Sequence, residues 1–225
     1  GDYYLVIHSG SRNLGKQVAE IYQRRAINLH RGWDEYILRR QEIIKEYKEL
    51  GKSKEINHAL EELKKGYGIL DIPEDLCWLY GDALNDYLHD IEICQKYAMR
   101  NRELIASMIM EKASLTEIDS FHTIHNYIDI NEMILRKGAI RAVKGEKVLI
   151  PMNMKDGSII GIGKGNREWN YSAPHGAGRI LSRKQAKEML DIKEYKKSME
   201  GIYTTSISLD TLDEAPQAYK SVEDI

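Results

Sequence analysis

The spacing of apolar residues along this chain changes twice, and the changes divide the chain into three regions. In the first region, an apolar and aromatic run predicts a β-strand over residues 2–8. A turn at residues 9–13 follows, and apolar side chains at three-to-four spacing then predict a helix from Leu14 to about His30.

The second region, about residues 33–112, is predicted to be helical and strongly charged. Residues 34–65 mix both charge signs at helical spacing, which favours a solvated helical hairpin over a basic RNA-binding face. We expect a protruding hairpin at about 33–70, inserted at a point remote from His175. The apolar stripe from Glu74 to about Glu111 predicts one long helix that is interrupted near its start.

The third region, residues 117–225, is rich in glycine and in β-forming residues. One helix is predicted there from Ser182 to about Leu190, with Ser182 as its N-cap. Helices followed by strands indicate an α+β fold, with helices packed on antiparallel sheets. The predicted strands cover residues 121–129, 132–136, 139–143, 146–151 and 158–163.

Composition narrows the class of protein. Hydrophobic residues make up 42% of the chain and the net charge is −2, which excludes a globally basic nucleic-acid-binding protein and leaves only local clusters for such contacts. Cys77 and Cys94 are too far apart for a C-x-x-C motif and are predicted to be reduced, partly buried thiols. Together with the lack of a signal peptide, they predict a cytoplasmic protein, and no apolar run reaches membrane-spanning length.

The strongest local motif is SAPHGAGR at residues 172–179. Its glycines allow the backbone to approach a ligand closely, and loops of this kind bind phosphate through backbone N–H groups. An arginine such as Arg179 can offset phosphate charge, and a neutral imidazole such as His175 can attack phosphorus. The competing interpretation is that His175 caps the helix near Ser182.

Two other histidines have both functional and structural interpretations. His8 ends the first predicted strand, before a small-residue turn and a helix start where an anion could bind; it is either a metal ligand or a core histidine. His122 and His125 would point to opposite faces of a strand, so only one of them is expected to be functional. Asn126, beside His125, is placed to contact phosphate or to orient a ligand.

Two further segments are less specific. Arg136 and Lys137 precede Gly138 at a predicted strand turn, where a charged hairpin edge is the simpler interpretation. Residues 151–166 are rich in glycine but match neither a Walker A loop nor a dinucleotide-binding fingerprint, and they are equally explained by two tight hairpins.

These strings occur in a fixed order: HSGSR at 8–12, HN at 125–126, RKGA at 136–139, HGAGR at 175–179 and DEAPQAYK at 213–220. In this order they resemble the RtcB family of RNA-splicing ligases, and the resemblance covers nearly the whole chain. It implies an RtcB-like fold and an enzyme that joins an RNA 3′-phosphate or 2′,3′-cyclic phosphate to a 5′-hydroxyl. GTP and Mn2+ would be the cofactors. The partners would be broken RNA or tRNA halves, and an accessory activating factor is a further possible partner.

The resemblance also implies roles for individual residues. His175 would be the catalytic residue that accepts GMP, and His8 and His125 would bind the same Mn2+ ion. Asn126 would contact phosphate, Ser158 the nucleotide base and Tyr219 the guanine pocket. The nucleotide-binding residues implied are Asn126, Ser158, His175, Gly176, Ala177, Gly178 and Tyr219.

The sequence departs from the family in three places. The family's Asp/Cys and Asn-His metal-ligand motifs would lie before residue 1, and its terminal lysine would lie beyond Ile225. The usual Pro-Gly-Ser-Met string is Pro151–Met154 here, with Met152 and Asn153 in place of Gly and Ser. We therefore expect residues 1–225 to be a partial catalytic domain. The competing hypotheses are another histidine-nucleotidylating or metal-dependent phosphoryl-transfer protein, and an RNA-binding or partner module without a complete metal site.

Overall fold

A computed structural model describes residues 3–224, in which long helices come first and two antiparallel sheets follow. The chain divides into two units, Gly1–Leu115 and Thr116–Ile225. The four longest helices belong to the first unit and both sheets to the second. The predicted mixture of helices with antiparallel sheets is therefore confirmed.

The first unit is built on α1, which packs against two other helices. α1 contacts α4 and α2, and the Tyr22 hydroxyl donates a 2.8 Å hydrogen bond to Asp90 of α4. No helix within residues 3–224 combines the length and the apolar character needed to cross a membrane. The helices of this unit are α1 (Asn13–His30), α2 (Trp33–Glu49), α3 (Ile56–Lys64) and α4 (Gly81–Ala113).

The predicted helical hairpin is formed by α2 and α3, which pack against each other. Ile43 is its buried apolar residue in α2, and α3 buries none completely, as expected from the charged sequence. The two ends of the hairpin meet, because the Gly68 N–H donates a 3.0 Å hydrogen bond to the Arg31 carbonyl. The predicted interruption before α4 is present as a short 3-10 turn at Glu74–Leu76.

The prediction of a strand at residues 2–8 is wrong for residues 3–8. Residue 2 lies outside the described residues. Residues 3–11 form no regular element, and the strands of both sheets come from residues 125–174. A strand is stabilised by pairing with a neighbouring strand, and every strand of the two sheets lies in the second unit. The segment is held instead by α4, because Asn101 donates to the Ser9 hydroxyl at 3.0 Å and Arg102 donates to the Ser9 carbonyl at 3.1 Å.

The second unit contains one three-stranded and one two-stranded antiparallel sheet. The first has the order β1-β2-β5, with β2 central, and the second is the hairpin β3-β4. The strands predicted at 132–136 and 139–143 are one strand, because Gly138 adopts a left-handed φ of 71° without ending the pairing. The strands are β1 (His125–Asp129), β2 (Ile134–Arg141), β3 (Lys147–Pro151), β4 (Ser158–Ile162) and β5 (Ser172–Pro174).

Two short helices complete the second unit: α5 (Arg183–Met189) and α6 (Ile192–Ser198). Ser182 is the predicted N-cap of α5, and it forms a capping box with Gln185. α6 was not predicted. It packs a buried Tyr195 into an apolar cluster with Met199, Leu212 and Ala215, which anchors the segment that leads to Tyr219.

Candidate functional site

The central strand β2 brings two of the candidate histidines together. In the sheet, His125 of β1 is paired with Ile140 of β2, and Ile140 is paired with Ala173 of β5. His175 follows β5 directly, and its ring stacks on that of His125 with centroids 5.1 Å apart and planes 27° apart. Residues 50 positions apart in the sequence therefore share one site.

A β-bulge at Asn126 sets the shape of this site. The pairing of β1 shifts between His125 and Tyr127, and Asn126 adopts a left-handed φ of 54°. The Asn126 side-chain oxygen accepts a 2.9 Å hydrogen bond from the Gly138 N–H. A methyl group at Gly138 would lie 3.7 Å from Cε1 and Nδ1 of His175, so glycine leaves that edge of the ring uncovered.

The glycine loop after His175 rests on the end of β3. The Ala177 N–H donates a 3.1 Å hydrogen bond to the Pro151 carbonyl, and Ala177 is buried. A methyl group at Gly176 would lie only 3.1 Å from the same carbonyl, so a side chain here would require the loop or the end of β3 to shift by a few tenths of an ångström. Ser158 is exposed at the start of β4 and is paired with Pro151, which places it on the strand pair that supports the loop.

Met152 and Asn153, which stand where the family has Gly and Ser, form part of a tight turn. Met152 is buried and its N–H donates to the Gly157 carbonyl at 2.8 Å. The Asn153 side-chain oxygen accepts from the N–H groups of Lys155 and Asp156 at 3.0 Å each. This turn therefore uses these N–H groups for its own hydrogen bonds and does not present them to a phosphate.

Arg179 was expected to offset phosphate charge, and the structure shows that it is also engaged within the fold. Its guanidinium donates to the carbonyls of Leu181 and Asp213 and, at 3.0 Å, to the Tyr219 hydroxyl. The group also lies 4.8 Å from the centroid of the Tyr219 ring. Arg179 thus joins the glycine loop to the segment containing Tyr219, because each of its three side-chain nitrogens has a protein partner. A contact with phosphate stays a prediction.

Tyr219, the expected guanine-pocket residue, is held from two sides. Its hydroxyl donates to Glu214 in addition to accepting from Arg179. Burial and the hydrogen bond to Glu214 raise the pKa of Tyr219 to about 12. The phenol is therefore protonated at neutral pH and its ring orientation is fixed. Contact with guanine stays a prediction.

The sequence analysis missed Asp213, a buried carboxylate beside this segment. It accepts a 2.7 Å hydrogen bond from Arg183, and Lys187 lies 3.5 Å away. Burial raises the pKa of Asp213, but the hydrogen bond from Arg183 and the charge of Lys187 outweigh it, so the pKa lies below its ordinary value. The sequence offered one signal, namely the spacing of Arg183 and Lys187 in α5 and the acidic pair at 213–214. Sequence alone does not show that these distant groups are in contact.

Arg136 was interpreted as part of a charged hairpin edge, and this is wrong. It is 1% exposed on the central strand β2 and donates to Asp129 at 3.1 Å and to Glu132 at 3.3 Å. It also donates to the Ser172 hydroxyl and the Asn170 carbonyl. Arg136 therefore fixes β5, and with it the approach to His175, to the rest of the sheet.

The two predicted metal ligands belong to different units. His8 lies in the irregular segment before α1, next to the Ser9 that α4 holds, and His125 lies in β1. Their convergence on one ion stays a prediction. Within residues 3–224, no group of three or more His, Cys, Asp or Glu side chains is placed to hold a metal, and Cys77 and Cys94 are buried free thiols.

A separate cleft of about 550 Å³ lies between α2 and α3. Its lining includes Glu46, Glu55 and Glu62, with Arg39 and His58. Three carboxylates repel phosphate groups, and Arg39 is already paired with Glu46 at 3.6 Å. The cluster around His175 is therefore the better candidate for phosphate chemistry.

The amino-acid sequence was compared with known families and proteins. The family model "tRNA-splicing ligase RtcB" matches residues 1–225. The RNA-splicing ligase RtcB of Escherichia coli strain K12 is 24% identical over 239 residues, which cover 98% of this chain and 50% of that protein. The tRNA-splicing ligases RtcB of Aeropyrum pernix and Nanoarchaeum equitans are 26% and 28% identical, covering 99% and 98% of this chain and 47% of each relative. The chain thus spans about half the length of these relatives.

Proposed function

The chain belongs to the RtcB family, and on this premise we propose that it is part of the catalytic core of an RNA ligase. The ligase joins an RNA 3′-phosphate or 2′,3′-cyclic phosphate end to a 5′-hydroxyl end and uses GTP. The observation that carries the proposal is the position of His175: stacked on His125, uncovered beside Gly138, and followed by a glycine loop. A nucleophile for phosphoryl transfer needs this combination of access and fixed orientation.

In the proposed reaction, an imidazole nitrogen of His175 forms a bond to the α-phosphorus of GTP. The bond from that phosphorus to the bridging oxygen breaks, pyrophosphate leaves with the electron pair, and the other ring nitrogen releases its proton. Where the RNA end is a 2′,3′-cyclic phosphate, water first adds to its phosphorus and the bond to the 2′-oxygen breaks, which leaves a 3′-phosphate and a 2′-hydroxyl. GMP then passes to an oxygen of the RNA 3′-phosphate as its bond to the His175 nitrogen breaks. The RNA 5′-hydroxyl finally attacks that 3′-phosphorus and GMP leaves, because GMP is a better leaving group than an oxide.

The nucleotide-binding residues have separate tasks. Asn126 accepts from Gly138 through its side-chain oxygen, and in this proposal its amide N–H groups donate to a phosphate. Gly176, Ala177 and Gly178 give the loop close backbone approach to the nucleotide. Ser158 and Tyr219 contact the base, and the fixed orientation of the Tyr219 ring favours a planar ligand against it.

Mn2+ is the metal we propose for the complete protein, with His8 and His125 among its ligands. The residues described here do not form a complete site by themselves, since they offer no cluster of three or more ligand side chains. A bound Mn2+ ion would offset phosphate charge and orient the reacting groups.

The partners we propose are RNA ends, namely tRNA halves or broken RNA, together with GTP and an accessory activating factor. A cytoplasmic location is consistent with the two free thiols, because a reducing compartment preserves them.

The decisive experiment is labelling of the complete protein with GTP and Mn2+. Wild type should acquire GMP through an acid-labile, base-stable bond, as expected for a phosphoramidate. His175→Ala should abolish the label, while the matched variant His122→Ala should keep most of it because His122 precedes β1 and is exposed. A label that persists in folded His175→Ala protein would place the nucleophile elsewhere and end this proposal.

The incomplete metal site favours one alternative, an RNA-binding or partner module that keeps the fold without catalysis. This module would bind RNA ends with the same affinity whether or not GTP and Mn2+ are present. It would also give no GMP label in a folded, complete wild-type protein.

A further inference from the structure

We propose that Lys220 is a catalytic residue whose ammonium group binds the β- and γ-phosphates of GTP at the glycine loop and stabilises the departing pyrophosphate. This inference rests on the proposed function, because it requires that a nucleotide reacts at His175.

The backbone places Lys220 directly opposite Gly178. Arg179 and Tyr219 form an antiparallel bridge, and the Lys220 N–H donates a 3.2 Å hydrogen bond to the Gly178 carbonyl. Residues that are opposed in an antiparallel pair share one face, so Lys220 and Gly178 do so. Because Gly178 has no side chain, the Lys220 stem extends over the loop, with Cδ and Cε each 3.8 Å from the position of a Gly178 methyl group.

Among the described residues, Lys220 has no carboxylate partner, whereas Arg179 lies within ion-pair distance of Glu214. Within residues 3–224, the Lys220 ammonium forms no ion pair, and the residue is exposed. Glu214, the carboxylate of the same segment, is already within ion-pair distance of Arg179 and, at 2.8 Å, of Arg183. An ammonium group without a carboxylate partner beside a glycine loop is suited to bind phosphate oxygens.

The position of Lys220 along the glycine loop determines which phosphates of GTP it would contact. In-line displacement places the leaving oxygen on the side of the α-phosphorus opposite the attacking nitrogen. Lys220 reaches the glycine loop at Gly178, three residues along the chain from His175, and this is where we place the departing pyrophosphate. There the ammonium offsets the negative charge that develops as the bond to the bridging oxygen breaks and pyrophosphate departs.

The test uses the complete protein and compares Lys220→Met, which keeps the stem, with Lys220→Arg, which keeps the charge. With labelled GTP and Mn2+, Lys220→Met should form the GMP–protein bond about 10- to 100-fold less efficiently, and Lys220→Arg should recover most of the loss. Lys184→Met is the matched control, because Lys184 is an exposed lysine of the same unit that pairs only with Glu188, at 3.9 Å.

The reverse reaction separates a phosphate contact from a structural role. Purified GMP–protein should regenerate GTP when pyrophosphate is added, and Lys220→Met should raise the KM for pyrophosphate about 10-fold or more. Transfer of GMP from His175 to an RNA 3′-phosphate should stay close to wild type, because no pyrophosphate takes part in that step.

Three results would overturn the assignment of Lys220: equal labelling of Lys220→Met and wild type, failure of Lys220→Arg to recover activity, or a defect confined to transfer of GMP to RNA. Wild-type protein that folds but acquires no label at all would instead refute the proposed function. Equal thermal unfolding of the three lysine variants would show that a loss of labelling does not reflect a loss of folding.

Discussion

At the scale of single residues, the groups around a charged side chain decide whether it binds a ligand or stabilises the fold. Arg136 and Arg179 both stand in motifs that suggest an available cation, and each side-chain nitrogen of both has a protein acceptor. Several of those acceptors come from more than 30 positions away in the chain, among them Ser172 and Asp213. Sequence spacing carries no information on such contacts, so the motif alone could not assign either arginine.

Asp213→Asn should destabilise the protein at neutral pH, because Asp213 is buried and its charge is used by Arg183 and Lys187. The pKa of Asp213 lies below that of an unfolded aspartate, since these cations outweigh the effect of burial. A lowered pKa contributes stability above the unfolded pKa and loses it as the pH falls through the folded value. The stability difference between wild type and Asp213→Asn should therefore shrink below about pH 4.

Urea unfolding at a series of pH values measures this difference. Asp210→Asn is the control, because Asp210 is exposed and should give a small effect without a pH trend. A constant difference for Asp213→Asn from neutral to acidic pH would contradict the ionic role of Asp213.

At the scale of elements, the long helices were predictable, whereas the short helix α6 and the strand ends were not. The apolar side chains of α1 and α4 recur at intervals of three to four residues over many turns, which is typical of a helix. Both helices lie close to where they were predicted. β2 was divided in two because Gly138 resembles a turn, although its left-handed conformation lies within a continuous pairing. The three-residue strand β5 is too short to give a pattern, yet it positions His175.

The same limit applies to the candidate site. The HGAGR and HN strings identified His175, His125 and Asn126 as candidates, and the sheet register is what brings the two rings together. The role of Lys220 had no sequence signal, because it depends on the absence of a side chain at Gly178 on the opposed strand.

Ser182→Ala should reduce the free energy of unfolding by about 1 kcal/mol, because α5 loses its N-cap oxygen. In the capping box, the Ser182 hydroxyl accepts from the Gln185 N–H at 3.2 Å and the Gln185 side chain accepts from the Ser182 N–H at 3.0 Å. Ser182→Gly should cost only a few tenths of a kcal/mol, since glycine is tolerated at an N-cap. Thermal unfolding of both variants measures the effect, and equal stabilities of the two variants would show that the cap contributes little.

At the scale of the whole molecule, the chain separates a helical unit from a unit of sheets and loops. The glycine loop, the proposed nucleophile His175 and the nucleotide-binding candidates all belong to the second unit, and the predicted ligand His8 belongs to the first. The order of the predicted helices and strands indicated an α+β fold, with the change from helices to strands between about residues 112 and 117. The division into two units after Leu115 agrees with that change.

Removal of the hairpin from the complete protein should spare labelling of His175 by GTP. The hairpin is made of α2 and α3, buries little apolar surface and packs on α1 within the first unit. A variant in which residues 33–67 are replaced by a short Gly-Ser linker should fold and form GMP–protein at a rate close to that of wild type. A folded variant that cannot be labelled would show that the hairpin contributes to catalysis.

The hydrogen bond between Gly68 and Arg31 means that the hairpin begins and ends at almost the same point of the first unit. Evolution can therefore lengthen, shorten or replace the intervening segment without rerouting the chain on either side. The same property makes the hairpin a convenient insertion site for a fluorescent reporter or an affinity tag. Gly51 suits this use, since it occupies a left-handed turn and nothing lies within 4 Å of where its side chain would begin.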